Sequence, residues 1–274
     1  MELDRLKQEW DSNGYCIIPA LVTEDGVSDM RSICDRVLEQ VLQESDNRAE
    51  LEDASNIAYL TEPKYYSKEP ESLLKLLEFI AQDQIVLILQ SIADGQFPLF
   101  HNTQYFKQPL YRSWQGIWHR DTQFLAPDPE LEKQRIAEFT AVHFRVAFCD
   151  DACLEYVPGS EKRWDTPAEL AIRKKITEGN ITAPAEMPGA KTINLRAGDA
   201  CLFHAWGIHR GTYRQDLPRR TLDIIYQWGG SCDYYPPPPT CFAEPKILES
   251  LSDGAQEFYR YFINAYKKVW QALE

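Results

Sequence analysis

Hydrophobic residues in the first third of the chain recur at helical spacing. Apolar positions three and four residues apart predict amphipathic helices, because one face of such a helix packs on a core. An apolar run between them, Gly14 to Val22, carries Gly and Pro and predicts a strand. Helical spacing returns at the end of the chain. The predicted helices cover Leu3 to Trp10, Asp25 to Gln43, Glu71 to Ala93 and Ala255 to Leu273.

From Phe97 onward the pattern changes to short apolar stretches broken by Pro, Gly and Asp, which is typical of strands joined by turns. Helical insertions are expected near Asp128 to Glu138 and from Pro167 to Glu178. This order favours an antiparallel sandwich or barrel with a helical layer outside it. We expect one mainly β domain over residues 1–274, with flanking helices. Its parts are a largely helical layer (1–97), a β core (98–230), a separating proline run (236–239) and a C-terminal helix (255–273).

Two predicted strands near the end of the β region carry candidate chemistry. Residues Cys201 to Tyr213 form an apolar run, turn residues follow, and Arg219 to Trp228 alternate with period two, which predicts a hairpin. The more apolar face of the second strand begins at Arg220, and we expect it to point into the core. Arg220, not Arg219, is therefore the expected inward arginine. A buried guanidinium needs an anionic partner, which either the chain or a ligand supplies.

Composition excludes several classes of partner. The 274 residues include 29 Lys and Arg against 42 Asp and Glu, a net charge of -13, whereas nucleic-acid binding draws on a basic surface. No apolar run is long enough to span a bilayer, and the charged start lacks a signal-peptide core. The seven cysteines form no CxxC pair, which is typical of reduced thiols. We expect a cytoplasmic globular protein with no nucleic-acid or membrane partner.

A metal-binding pattern lies at His119-Arg120-Asp121. Residues two apart on a strand point to the same face, so the two outer side chains are able to hold one ion. Alone this is a weak signal, since a core histidine beside a solvated aspartate is more common. Together with His209 and an arginine eleven residues later, it becomes a set of two histidines and one carboxylate. Such a set is the facial triad of non-haem Fe(II) oxygenases.

The order of these motifs resembles the phytanoyl-CoA dioxygenase family of Fe(II)/2-oxoglutarate oxygenases. The matching features are His119 with Asp121, Leu154 to Ser160 (LEYVPGS), Gly198 to His209 (GDACLFHAWGIH) and Arg220. The resemblance covers roughly Gly14 to Trp228 and implies a double-stranded β-helix, a jelly-roll or cupin-like fold. It also implies iron held by His119, Asp121 and His209, and 2-oxoglutarate with its distal carboxylate bound by Arg220.

The chain departs from the family pattern at several positions. The family often has Ser two residues and Asn five residues after the second histidine, where this chain has Gly211 and Arg214. The histidine that often follows its PGS turn is Glu161 here. These differences leave the triad intact but change the expected contacts to 2-oxoglutarate and substrate. Halogenating relatives replace the carboxylate with Gly or Ala, so Asp121 argues against halogenation.

Five further residues are candidates for the pocket. Asn102 and Gln104 share a strand face where the family tends to place amides near the iron-bound end of 2-oxoglutarate; a solvated face is the alternative. On a later strand His143 and Arg145 alternate with apolar residues. If the apolar side packs on the helices, both face the cavity, where Arg145 is able to meet an anionic group of the substrate. Trp118 is either a core residue or a wall of the site.

The reaction that the resemblance implies is oxidation, most simply hydroxylation, of a small metabolite or natural-product intermediate. It would use Fe(II), 2-oxoglutarate and O2 and release succinate and CO2. Desaturation, demethylation or ring chemistry within the family is an alternative, as is a non-oxidative cupin-like metal enzyme. A non-catalytic binding module is a third class, distinguished by failure to bind Fe(II). An acidic protein has no general attraction for polyanionic coenzyme A, which favours a small metabolite.

Overall fold

The computed structural model describes residues 3–44, 56–109, 111–124, 126, 128–138, 140–177, 186–229, 240–243 and 245–273. Strands in these ranges form two antiparallel sheets. They are β1 (Tyr15–Ile18), β2 (Asn56–Ala58), β3 (Leu99–Lys107), β4 (Trp114–Gln115), β5 (Thr140–Ala147), β6 (Asp151–Tyr156), β7 (Lys191–Leu195), β8 (Ala200–His204), β9 (His209–Tyr213) and β10 (Arg220–Trp228). The larger sheet has the order β1-β8-β5-β10-β3-β2, and the smaller has the order β4-β9-β6-β7.

The helices of the described ranges are α1 (Leu3–Asn13), α2 (Glu24–Glu44), α3 (Pro70–Ile80), α4 (Asp83–Ile92), α5 (Pro129–Glu138), α6 (Pro167–Thr177), α7 (Pro245–Glu249) and α8 (Asp253–Leu273). All except α5 and α6 pack on one face of the larger sheet, as the helical spacing predicts, whereas α5 and α6 pack against smaller apolar clusters. The single helix expected from Glu71 to Ala93 is two helices, because the chain turns at Ala81 and Gln82 before α4 begins. The predicted proline run at 236–239 and Cys232 lie outside the described residues.

The main core lies between these helices and the apolar face of the larger sheet. Val142, Phe144 and Val146 of β5 and Leu222 and Ile224 of β10 are fully buried in it. Because side chains alternate along a strand, the residues between them point to the opposite face. On both central strands that opposite face carries polar residues and looks toward the smaller sheet. The interior between the two sheets is thus the polar side of β5 and β10.

The hairpin predicted around residues 213–219 is wrong. The apolar run from Cys201 forms two strands, β8 in the larger sheet and β9 in the smaller, which are joined by a turn at 205–208. β9 pairs with β4 and β6, whereas β10 pairs with β3 and β5. The chain therefore crosses between sheets twice, so β9 and β10 face each other across the interior and do not pair.

A buried ion network fastens the segment around Arg120. The Arg120 side chain is fully buried; its Nε and Nη2 donate to Asp165 Oδ1 at 2.9 and 2.7 Å, and its Nη1 donates to the Ser160 carbonyl at 2.8 Å. Arg173 of α6 donates to Asp165 Oδ2 and to Glu132 of α5. One carboxylate, Asp165, thus compensates two buried guanidinium groups and ties two helices to this segment.

No helix among the described residues combines the length and the apolar character that crossing a bilayer requires.

We predict that Asp165→Ala lowers the free energy of unfolding by about 3–5 kcal/mol, because it leaves two buried cations without their shared counter-ion. Chemical denaturation measures this. The matched control is Asp216→Ala, which removes the exposed partner of Arg214 and is expected to leave the unfolding midpoint unchanged. Equal stability of Asp165→Ala and the wild type would contradict the structural role of the network.

Candidate active site

The two histidines of the predicted triad are paired through their backbones. The N–H of His119 donates to the carbonyl of His209 at 3.0 Å, and the N–H of His209 donates to the carbonyl of His119 at 2.9 Å. Directly opposed residues of an antiparallel pair place their side chains on the same face. The two imidazole rings accordingly lie 4.3 Å apart between their centroids. Backbone pairing alone therefore brings these ring nitrogens to one point.

Asp121 completes the cluster from a short 3-10 turn, Asp121–Phe124, and not from the strand that the HxD pattern predicted. Its backbone N–H donates to the carbonyl of Ala205, in the turn between β8 and β9. Asp121 Oδ1 lies 3.4 Å from His119 Nε2 and 3.5 Å from His209 Nε2. One ligand atom from each of the three residues lies within 4.8 Å of the others, and the three together are able to hold a metal ion.

Both histidines present Nε2 to this cluster with its lone pair available. His119 Nδ1 lies 2.7 Å from the carbonyl of Ile117, and His209 Nδ1 lies 2.9 Å from the carbonyl of Gly207. A carbonyl oxygen only accepts, so Nδ1 carries the proton in each ring. Burial lowers the pKa of His209 to about 3, which keeps that imidazole neutral. These backbone carbonyls orient the two imidazole rings, and the spacing of residues in the sequence does not reveal them.

Behind the cluster, His143 joins Asp121 to a second carboxylate. His143 Nε2 lies 2.8 Å from Asp121 Oδ2, and His143 Nδ1 lies 3.2 Å from Asp223 Oδ2. Burial alone would lower the pKa of His143, but the hydrogen bonds to Asp121 and Asp223 outweigh it and raise that pKa to about 9. The ring stacks on Phe203 with centroids 4.9 Å apart. His143 thus holds the Asp121 oxygen that points away from His119.

Arg145 forms the end of this chain of charges. Its Nε and Nη2 donate to the two oxygens of Asp223 at 2.7 and 2.8 Å, a bidentate pair that is buried on both sides. Burial by itself raises the pKa of Asp223, but Arg145 and His143 outweigh it and hold that pKa below its usual range. Arg145 and His143 both line the cavity, as the alternation along β5 predicts. The charge of Arg145 is already matched, so an anionic substrate group is not needed to balance it.

The triad opens onto a cavity of about 370 Å³ between the two sheets. Apolar and aromatic side chains form part of its wall, and polar or charged side chains from the triad, β2, β3, β5 and the region of β10 form the rest. Its rim includes Phe124, which is 63% exposed and lies 5.3 Å from the His119 ring. The lining residues are Asn56, Gln104, Phe106, His119, Asp121, Phe124, His143, Arg145, Leu154, Phe203, His209, Gly211, Tyr213, Arg219 and Asp223.

Arg219, not Arg220, is the arginine of this cavity, and the sequence prediction is wrong on this point. Arg220 points to the outer layer, where its Nε donates to Asp35 Oδ1 of α2 at 2.7 Å and a further nitrogen donates to Gln108. Arg219 is 1% exposed and lines the cavity. The assumption that the apolar face of β10 is the cavity face caused the error, because the helices cover that face.

The Arg219 guanidinium is buried without a hydrogen bond. None of its three side-chain nitrogens has a hydrogen-bond partner within the described residues, and the nearest carboxylate oxygen, Asp151 Oδ1, lies 3.6 Å from Nε. The rings of Phe106 and Tyr213 lie against its central carbon at 4.7 and 4.9 Å. Arg219 is thus a buried cation between two aromatic faces, with Asp151 as an ion-pair partner and with unused donors at the wall of the cavity, which makes it a candidate receptor for an anion.

The remaining predicted pocket residues divide into two groups. Gln104 lines the cavity from β3, as predicted. Asn102, on the same strand, is not among the lining residues; its Oδ1 accepts from the N–H of Thr103. Trp118 is also no wall of the cavity. It is 1% exposed in a separate cluster with Val157, Met187 and Ile208, and the Arg210 guanidinium lies 4.4 Å from its ring.

The part of the chain that carries this site matches one known protein family. The phytanoyl-CoA dioxygenase (PhyH) model matches residues 10–220, which include the triad and Arg219. The chain belongs to the phytanoyl-CoA dioxygenase family. The family resemblance predicted from the motif order is confirmed. A comparison with curated protein sequences gave no match for this dioxygenase-family chain.

Solved structures share the fold of this phytanoyl-CoA dioxygenase family member. One is SnoN, an epimerase from nogalamycin biosynthesis, in complex with Fe3+, alpha ketoglutarate and nogalamycin RO. It is 16% identical with a TM-score of 0.55, and the match covers 84% of this chain and 87% of SnoN. The alpha ketoglutarate dependent carbocyclase SnoK is 16% identical (TM-score 0.56; 81% and 83% covered). EctD from S. alaskensis, with 2-oxoglutarate and 5-hydroxyectoine, is 14% identical, with a TM-score of 0.58; the match covers 81% of this chain and 74% of EctD. These likenesses confirm the predicted double-stranded β-helix.

We predict that His143→Leu weakens Fe(II) binding about tenfold, because Asp121 then loses the donor that fixes one of its oxygens, and residues that orient metal ligands commonly have effects of this size. Anaerobic calorimetry with Fe(II) measures the affinity. His143→Gln is the matched variant, since its amide still offers an N–H toward Asp121, and it is expected to lose less. Identical affinities of His143→Leu and the wild type would exclude this orienting role.

Proposed function

We propose that this chain is an Fe(II)/2-oxoglutarate-dependent oxygenase that oxidises a small molecule, most simply by hydroxylation. One observation carries the proposal: a single cavity holds a two-histidine, one-carboxylate cluster at one position and a buried arginine without a hydrogen-bond partner at another. The first is a metal site and the second an anion site. A chelating dicarboxylate that reaches both is the simplest ligand that uses the whole arrangement.

The triad fits Fe(II) by the chemistry of its donors. His119 and His209 direct Nε2 lone pairs to the same point, and Asp121 adds one carboxylate oxygen. Two imidazoles and one carboxylate on one side of an ion leave the opposite positions open for other ligands. When bound there, iron supplies the activation of O2 that protein side chains cannot perform. The protein's own task is then to orient ligands and to exclude water.

Arg219 fits the distal carboxylate of 2-oxoglutarate. Its free N–H donors lie in the cavity that the triad shares, and burial strengthens a charge-assisted hydrogen bond to a carboxylate. Asp151 forms an ion pair with Arg219 at 3.6 Å but accepts no hydrogen bond from it, which leaves those donors available. Gln104, on the wall of the same cavity, is placed to contact the cosubstrate, whereas Asn102 and Arg220 are not.

The substrate is expected to enter beside Phe124, next to His119 and on the rim of the cavity. Family membership and the iron- and 2-oxoglutarate-containing structures of the same fold support an oxidative reaction. Those structures include an epimerase in complex with nogalamycin RO, a carbocyclase from nogalamycin biosynthesis and EctD with 5-hydroxyectoine. A small metabolite or natural-product intermediate therefore remains our proposed substrate class. The acidic chain, with a net charge of -13, favours neither coenzyme A nor nucleic acid.

Substituting Arg219 and Arg220 in turn shows which of the two arginines binds the cosubstrate. Arg219→Met removes the only anion receptor proposed for the distal carboxylate and should weaken 2-oxoglutarate binding about a hundredfold, the effect of losing charge-assisted hydrogen bonds. Arg220→Met is the matched control and should bind normally, because its side chain faces α2. Anaerobic titration of the Fe(II) protein, followed by the visible charge-transfer band of the chelate, measures both. Loss of binding in Arg220→Met alone would return the assignment to that residue.

The metal-binding role of the triad is tested by removing one of its three ligands. His209→Ala should abolish the charge-transfer band, because the ion loses one of its three protein ligands while the fold persists. Circular dichroism checks the fold, and succinate release in the presence of O2 checks turnover. If the wild type binds Fe(II) yet shows no band with 2-oxoglutarate, the oxygenase proposal fails, and the non-oxidative metal enzyme takes its place.

A further inference from the structure

The cavity face of β9 differs from the family pattern at one position in a way that the structure explains. Gly211 stands where the family often has Ser, two residues after the second histidine. A Cβ atom on Gly211 would lie 2.8 Å from the hydroxyl oxygen of Tyr213 and 2.9 Å from its ring carbon Cζ. Real Cβ atoms are not found so close to other heavy atoms. The Tyr213 side chain therefore fills the space that a side chain at position 211 would need.

Tyr213 lies with its ring against Arg219 and its hydroxyl beside Gly211. His209, Gly211 and Tyr213 alternate along β9 and all line the cavity, so the strand runs from the metal cluster to the arginine. The Arg219 guanidinium lies 4.9 Å from the Tyr213 ring. The Tyr213 hydroxyl makes no hydrogen bond with another described residue. An O–H donor without a partner among the described residues and a guanidinium thus line the same cavity, with the tyrosine ring between the guanidinium and Gly211.

The Tyr213 ring is held in place by its neighbours. Trp114, its cross-strand partner on β4, stacks on it with ring centroids 4.0 Å apart and an interplanar angle of 16°. Arg219 lies against the same ring and also against Phe106. Stacked aromatic and cation contacts of this kind restrict the orientation of a ring. Tyr213 is 8% exposed, so its position is set by packing.

We infer that Tyr213 completes the receptor for the distal carboxylate and sets the length of the 2-oxo acid that the chain accepts. The inference rests on the proposed function. The hydroxyl donates a second hydrogen bond to the carboxylate that Arg219 binds, in place of the side chain that Gly211 lacks. The ring occupies the cavity wall beside Arg219, so we expect it to admit a five-carbon diacid between metal and receptor and to exclude a six-carbon diacid.

Two substitutions separate the hydroxyl from the ring. Tyr213→Phe removes only the donor and should raise the Kd for 2-oxoglutarate about tenfold, the effect of one hydrogen bond to a charged group. Tyr213→Ala also opens the cavity wall beside Arg219, and the ratio of the Kd for 2-oxoadipate to the Kd for 2-oxoglutarate should fall at least tenfold. Tyr261→Phe, at an exposed position of α8, is the matched control and should change neither value.

A third substitution, Gly211→Ser, tests whether side chains at positions 211 and 213 compete for the same volume. In the wild type Gly211→Ser should weaken 2-oxoglutarate binding, because the new side chain meets the Tyr213 ring. In the Tyr213→Ala background the same Gly211→Ser change should tighten binding, since it restores a hydroxyl where the ring was. A purely structural role of Tyr213 predicts no such reversal of sign and no change in the preference between the two diacids.

The measurement is an anaerobic titration of the Fe(II) protein with each diacid, followed by the charge-transfer band, with thermal unfolding of every variant as a check of folding. If the wild type binds no 2-oxoglutarate, the proposed function itself fails. If the wild type binds it but Tyr213→Phe, Tyr213→Ala and the control all keep the same affinities and the same ratio, the function stands and the role of Tyr213 is overturned.

Discussion

The pair of backbone hydrogen bonds between His119 and His209 is the constraint on which the site depends. It joins β9 to the segment that follows β4, its neighbouring strand in the smaller sheet, and brings two rings together without any bond between their side chains. Asp121 reaches the same point because its own N–H is fixed to the turn before β9. The metal cluster is therefore a consequence of how two backbone segments pair. The buried Arg120 network, which lies between the two ligands in sequence, holds one of those segments to the helices.

A second constraint is that the two faces of the larger sheet differ in polarity. Its outer face is covered by helices and is apolar, so the polar residues of β5 and β10 are left to the interior. Buried charges need partners, and here they form a continuous series in which Arg145, Asp223, His143 and Asp121 alternate in sign. The Arg219 guanidinium has the Asp151 carboxylate 3.6 Å away as an ion-pair partner, yet none of its three nitrogens makes a hydrogen bond within the described chain. Hydrogen bonding, more than charge pairing, thus distinguishes the cation whose donors are available to a ligand.

The sequence predicted the helical layer, the short antiparallel strands and the three clustered residues, because periodicity and motif spacing depend on local geometry. It did not predict which face of β10 is inward, since that depends on what covers the other face. The same alternation that correctly placed His143 and Arg145 would have placed Arg219 if the helices had been taken to cover β10 as well. The contact of His143 with Asp121, the carbonyl partners of the triad and the burial of Trp118 in another cluster arise from strands that are distant in sequence, and no spacing rule reports them.

β9 connects the two ends of the site. Its first residue, His209, is a ligand of the cluster, and its last, Tyr213, packs against Arg219, with Gly211 between them on the same face. Because side chains alternate with period two, a shift of β9 by one residue would turn all three away from the cavity together. The pairing that sets the two histidines opposite each other therefore also sets where Gly211 and Tyr213 stand in the cavity. The position of Arg219 relative to the metal depends in addition on β10, so the span between metal and anion receptor is fixed by the registers of two strands in opposite sheets.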